Sequence, residues 1–374
     1  MSEDFLPIKG VDHVEMYVGN ARQAAYFYER GFGFLHTAYQ GLETGTRDRA
    51  SYVMEQGKIR LALTAPLGPD HPVARHHHLH GDGVGVIALE VPDAAGAYRE
   101  STSRGATGAI APTQEEDQYG VLRYSAIRAY GDTLIKFVDR GDYNGPFAPG
   151  YEVRNGAGGD GASANGRQRH KGVGLAHIDH MVGNVELGAM NRWVNFFAET
   201  MGFSQLLHFD DRDISTEYSA LMSKVMQDGT GKVKFPINEP AEGKKKSQIQ
   251  EYLDYYYGPG VQHLALSTGD IIDTVSRLRD NGIEFLRVPD TYYEELEDRV
   301  GQINEPVDKL AELGILVDRD DEGYLLQIFT RPVEDRPTLF YEIIERHGSR
   351  GFGKGNFKAL FEAIEREQAL RGNL

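Results

Sequence analysis

The sequence predicts an α+β protein assembled from two similar domains, and three observations predict it. Segments in the first half recur, in the same order, in the second half. Each recurring segment joins a strand pattern to an amphipathic helix or to a hairpin. Between the halves lies RNGAGGDGASANGRQRHKGVG, residues 154–174, a stretch rich in Gly, Ala, Ser and Asn that cannot bury much and reads as a linker. The expected domains are therefore 1–153 and 175–374.

The first pair of segments is VDHVEMYVGNARQAAYFYERGFGF (residues 11–34) and IDHMVGNVELGAMNRWVNFFAETMGF (178–203). Each reads as a strand with an Asp-His pair, a Gly-Asn turn, a helix and a closing Gly-Phe. In the second helix Met190, Trp193, Val194, Phe197 and Met201 fall at helical spacing. The second pair, 53–66 and 225–240, reads as hairpins. Their second strands alternate through Ile59, Leu61 and Leu63 and through Val233, Phe235 and Ile237. The third pair, 81–106 and 258–283, is strand then helix. The fourth matches YGDTLIKFVDR (130–140) with DEGYLLQIFTR (321–331), a strand after a turn. Each half thus holds two strand–helix–strand units padded with hairpins.

Composition limits the function. The chain has 374 residues, with 40 basic and 56 acidic side chains and a net charge of −16. This balance argues against a nucleic-acid partner, since phosphate binding needs clustered Lys and Arg. Without cysteine there are neither disulfides nor thiolate ligands. The acidic start MSEDFLPIKG lacks the apolar core of a signal peptide, and no stretch reads as a membrane span. A cytoplasmic enzyme is expected.

The chemistry is sought where the halves differ. GPGVQHLALS (258–267) reads as a buried strand with His263 in its middle. Such an imidazole is either a core histidine satisfied by one hydrogen bond or a metal ligand. The matching strand, GVGVIAL, carries Val86 at that position, so the fold itself does not require the histidine. His180 matches His13, so only the second half can pair two such histidines. His177, three residues from His180, falls on the other strand face. In TLFYEIIERHG (338–348), Phe340, Glu342 and Ile344 share a face. A carboxylate in an apolar run is costly unless it is paired or coordinates a cation. Glu345 competes for the role from the charged end of the strand, and the stretch FAPGYEV, taken as the N-terminal counterpart, lacks the strand pattern. Two histidines and a carboxylate form a facial triad with three open positions, the set of non-haem Fe(II) oxygenases. RHHHLH (75–80) reads as a solvated loop, and DRDDEG (318–323) lacks the twelfth-position glutamate of a calcium loop. GFGKGNF breaks the spacing of a phosphate loop, and the KKK at 244–246 reads as a solvated face.

The βαβββ order, used twice per half, resembles the vicinal-oxygen-chelate fold, in which curved sheets form a half-open barrel around a metal. NEPAEGKKKSQIQEYLDYYYGPGVQHLAL, DEGYLLQIFTRPVEDRPTLFYEIIERHG and GFGKGNFKALFEAIEREQALRGNL closely resemble the 4-hydroxyphenylpyruvate dioxygenases. The likeness covers nearly the whole chain and is densest from residue 175 onward. It implies two tandem vicinal-oxygen-chelate domains, a metal-free N-terminal one suited to assembly and a catalytic C-terminal one with a lid helix. It implies one Fe(II) per subunit on His180, His263 and Glu342. It implies 4-hydroxyphenylpyruvate and O2 as substrates, homogentisate and CO2 as products in tyrosine and phenylalanine catabolism, and a homodimer or homotetramer.

By the same resemblance Ser223, Asn238, Gln248, Gln262 and Gln327 are catalytic polar groups of the pocket, and Phe329, Phe352 and Phe357 bind the substrate ring. Alternation turns Gln262 away from His263, which suggests a supporting place for it. For these amides and hydroxyls a plain structural hydrogen bond is the competing reading, the more so because Ser51 and Thr64 occupy the positions of Ser223 and Asn238. The helix NFKALFEAIEREQAL presents Phe357, Leu360, Phe361 and Ile364 on one face, as a lid or a packing helix would. The sister activity, 4-hydroxymandelate synthase, shares iron and substrate. An extradiol catechol dioxygenase would need a further histidine at the metal, and a non-catalytic binding module would not need the triad.

Overall fold

The computed structural model describes residues 4–154, 172–209, 220–241 and 243–373. The inter-half stretch read as a linker lies, over 155–171, outside the described residues. In the first half β1 (Gly10–Tyr17), α1 (Ala21–Arg30), β2 (Leu35–Gln40), β3 (Arg49–Gln56) and β4 (Ile59–Pro66) form one βαβββ unit. After α2 (Pro72–His80), a second unit follows: β5 (Gly83–Glu90), α3 (Ala94–Ser103), β6 (Gly108–Asp117), β7 (Gly120–Arg128) and β8 (Leu134–Tyr143). A short strand β9 (Glu152–Val153) edges onto β2. The second half repeats the plan. Its first unit is β10 (Leu175–Asn184), α4 (Met190–Met201), β11 (Ser204–Phe209), β12 (Ala220–Gln227) and β13 (Lys234–Ala241). Then come α5 (Gln248–Tyr256), β14 (Gly260–Thr268) and α6 (Ile271–Asp280). Short helices α7 (Thr291–Glu294), α8 (Leu296–Val300) and α9 (Val307–Leu313) lead to β15 (Leu316–Arg319), β16 (Tyr324–Phe329) and β17 (Phe340–His347). The terminal helix α10 (Phe357–Leu370) follows.

Each half curls into one sheet, ordered β6-β7-β8-β5-β1-β4-β3-β2-β9 and β11-β12-β13-β10-β14-β17-β16-β15. The two units of a half join where β1 meets β5, or β10 meets β14, in antiparallel pairing. Helices begin where side chains can take orphan amides: Asn20, Asp93 and Asp270 accept from the backbone at Gln23, Gly96 and Asp273. The apolar stripe of α4 buries Val194, Phe197 and Met201, and Phe197, Phe203 and Phe235 pack ring on ring against the sheet.

The strand pairing corrects the fourth repeat match. β8 pairs in parallel with β5 (Ala88↔Lys136) as β17 pairs with β14 (Ala265↔Glu342). The counterpart of β17 is therefore β8, not FAPGYEV, and YLLQIF in β16 corresponds to β7. Turn residues and alternation are blind to which of two neighbouring strands they mark, so similarity alone paired the wrong ones. Lys136 occupies the position of Glu342. Phe147 and Tyr151, from FAPGYEV, instead pack inside the first half-barrel beside Ala38, Val53 and Ala62, with Phe147 edge-on to His13 at 5.0 Å.

The histidine tract is also corrected. RHHHLH is helical, within α2, with Pro72 at its start, and His76 and His80 are buried. His80 stacks on Tyr256 at 4.3 Å, so the tract packs α2 against α5 across the halves.

The halves also meet at a buried hydroxyl pair. Tyr28 on α1 and Tyr341 on β17 lie 2.7 Å apart, oxygen to oxygen, beside the Met16 sulfur. Tyr341→Phe leaves the Tyr28 hydroxyl with only that weak acceptor. The substitution should cost about 1–3 kcal/mol, read as a lower denaturation midpoint at unchanged m-value.

Candidate metal centre and substrate cavity

Three strands of the second half-barrel converge their side chains on one point. His180 comes from β10, His263 from β14 and Glu342 from β17, all buried. Their ligand atoms cluster: Glu342 Oε2 lies 3.1 Å from His180 Nε2 and 3.4 Å from His263 Nε2. The register makes this possible. Val182↔His263 and Ala265↔Glu342 are cross-strand neighbours, which puts residues 180, 263 and 342 on the concave face. His177 bonds Ser267 instead, at 2.7 Å, away from the cluster.

Both rings are held by their other nitrogen. His180 Nδ1 donates to Asp179 Oδ1 at 2.8 Å, and Arg346 clamps Asp179 with two bonds of 2.8 Å. His263 Nδ1 donates to the side-chain Oε1 of Gln262 at 3.0 Å. Each bond fixes the tautomer that leaves Nε2 free toward Glu342, the arrangement that presents an imidazole to a metal. Electrostatics agree with a polarised cluster. Burial raises the Glu342 carboxyl, but the two imidazoles hold it down at about 2. Burial lowers His180, yet Glu342 and Asp179 outweigh it and raise the ring above its usual value. Burial wins at His263, which is lowered.

A cavity opens from this cluster. Ser223, Asn238, Gln248, Gln262, Phe329, Phe352 and Phe357 reach its wall, as do the three clustered groups. Phe352 stands edge-on to His180 at 4.9 Å, and Phe329 edge-on to His263 at 5.9 Å. Gln327 does not line the cavity. It is 1% exposed, and neither amide atom has a partner. The loop after β17 covers it: at Gly353 (φ +76) any side chain would clash with the Gln327 amide. In the first half Ser51 and Thr64 bond each other at 2.9 Å, whereas Ser223 and Asn238 at the matching positions face the cavity.

Sequence reasoning missed several contributors. Phe340 stacks on His263 at 4.7 Å, and Val182, Phe209, Leu221, Val225 and Pro236 add apolar wall. Asp179 was visible as part of an Asp-His pair, but its clamp Arg346 comes from another strand and carries no local signal. The helix face Phe357, Leu360, Phe361 and Ile364 closes the cavity.

Two tandem half-barrels, one carrying a His-His-Glu cluster, define a class. The family model of the "Glyoxalase/Bleomycin resistance protein/Dioxygenase superfamily" matches residues 10–128 and 175–328. A curated 4-hydroxyphenylpyruvate dioxygenase of Dictyostelium discoideum is 48% identical, with 98% of this chain and all of that protein covered. One from Yarrowia lipolytica is 46% identical over 98% of this chain and 94% of the relative. Among solved structures, an engineered triple mutant of 4-hydroxymandelate synthase from Streptomyces coelicolor aligns with a TM-score of 0.85. It is 32% identical, covering 97% of this chain and all of that one. The chain belongs to the 4-hydroxyphenylpyruvate dioxygenase family within that superfamily.

Asp179→Asn loses the charge that both orients His180 and anchors Arg346. Affinity for a divalent transition metal should fall about 10–100-fold, measured by anaerobic titration of the metal-free protein.

Proposed function

We propose that the protein converts 4-hydroxyphenylpyruvate and O2 to homogentisate and CO2, using one Fe(II) held by His180, His263 and Glu342. The observation that carries this reading is the convergence of those three groups at the floor of a cavity walled by phenylalanines. The donor set suits the ion, since two neutral imidazoles and one carboxylate on one side leave the other side open. Bound there, Fe(II) would supply the redox chemistry and a chelation point for the substrate's keto acid.

The chain's own residues do the rest. Asp179 and Gln262 hold the two rings in the tautomer that frees Nε2. Phe329, Phe352 and Phe357 provide faces and edges for an aromatic ring. Ser223, Asn238 and Gln248 offer hydrogen-bonding groups on an otherwise apolar wall, which is how a site fixes orientation. Leu360, Phe361 and Ile364 exclude water from the reacting end. Gln327, two residues from Phe329 on β16, adds a buried amide under the Gly353 loop beside this wall.

The alternative product is 4-hydroxymandelate, favoured by the structural likeness to an enzyme of that name. The higher identity to the dioxygenases and the aromatic wall support homogentisate. The deciding experiment loads metal-free protein with Fe(II) without oxygen, adds 4-hydroxyphenylpyruvate, admits oxygen and identifies the product. Homogentisate is expected, and hydroxymandelate would overturn the assignment while leaving the metal site in place. Glu342→Gln should abolish turnover together with iron retention at this site. Turnover that persists in that variant would overturn the ligand set.

A further inference from the structure

β17 carries a second group of metal-ligating side chains on its other face. Glu342 points into the barrel, whereas Glu345 and His347 point outward, as alternation requires. There they meet Glu305, from the segment before α9. His347 Nε2 lies 3.0 Å from Glu305 Oε1 and 3.0 Å from Glu345 Oε1. The two carboxylate side chains are only 12% and 11% exposed.

A plain ion-paired histidine accounts for part of this arrangement and not for all of it. One ring N–H lies in the ring plane and can be aimed at one oxygen, yet two approach equally. The remaining contacts are neutral: the Tyr324 hydroxyl reaches Glu305 Oε1 at 3.4 Å, and Glu345 Oε2 accepts from the Ile271 amide at 2.8 Å. Glu305 Oε2 is buried with no partner. Two carboxylates thus share one imidazole, with a buried acceptor left over. Ligand atoms bound at about 2.1 Å to one ion lie about 3.0 Å apart at right angles and about 3.4 Å apart at tetrahedral angles. The His180, His263 and Glu342 cluster, with contacts of 3.1 and 3.4 Å, has the same form. The ring is also fixed: Tyr324 stacks on His347 at 4.5 Å, with the ring planes nearly parallel at 10°.

We propose that Glu305, Glu345 and His347 form a second binding site for a divalent first-row transition cation. The nitrogen ligand disfavours Mg²⁺ and Ca²⁺, which prefer all-oxygen sites, and suits a borderline ion such as Zn²⁺. Such an ion would tie the segment before α9 to β17, three residues from Glu342, and to the start of α6.

The test strips the full-length protein of metal, loads it anaerobically with excess Zn²⁺, removes unbound ion and counts metal per chain by mass spectrometry. Wild type should hold two equivalents. Glu305→Gln, which keeps the side-chain volume, and His347→Gln should each hold one. Glu342→Gln should keep the second equivalent while losing the first. A single equivalent in wild type, or a second equivalent that survives both Glu305→Gln and His347→Gln, would overturn the proposal. Because Glu305→Gln lies in a surface segment, it remains informative if His347→Gln does not fold.

Discussion

The buried carboxylate of Glu342, held between two imidazoles, is the interaction on which the rest of the site depends. A carboxylate alone in that interior would be prohibitively costly, so its charge has to be met by fixed partners. The parallel pairing of β14 with β17 sets His263 and Glu342 at adjoining positions, and the antiparallel pairing of β10 with β14 brings in His180. Three strands that are distant in sequence must therefore hold one register. A slip of one residue would turn each of these side chains to the opposite face.

Arg346 couples this register to the cavity wall. Besides clamping Asp179, it donates to the carbonyl of Gly351 at 2.7 Å and lies over the Phe352 ring at 5.5 Å. One guanidinium thus links the orientation of His180 to the placement of an aromatic wall residue. Its bidentate, planar donors suit that task in a way a lysine would not.

The duplicated half shows which parts of this arrangement serve the fold. Asp12, His13 and Arg140 repeat the Asp179, His180 and Arg346 group, with Arg140 on Asp12 at 2.6 Å. The matching ligand positions hold Val86 and Lys136, and Phe147 and Tyr151 fill the barrel. Burial lowers the Lys136 ammonium, with Glu15 opposing it. The Asp–His–Arg cluster therefore braces the sheet in both halves, and the second half adds the carboxylate and the open cavity.

Much of this was legible in the residues. Helical and alternating periodicities are local, so the amphipathic face of α4, the hairpins and the face of α10 could be read directly. The duplication supplied a comparison that singled out His263 against Val86 and left His180 with a partner. Glu342 stood out because a charged group in an apolar strand needs an explanation. Strand adjacency was not legible, because alternation marks a strand without naming its neighbour. Hence the residues alone do not identify the counterpart of β17, single out Lys136, reveal the α2 histidines as helical or give Arg346 a partner. The sequence by itself determined most element types, the two-fold plan and the three candidate ligands, since each depends on neighbours along the chain. Only the tertiary structure decided the register that converges those ligands and the packing that empties one barrel while filling the other, because both arise from contacts between residues far apart in the chain.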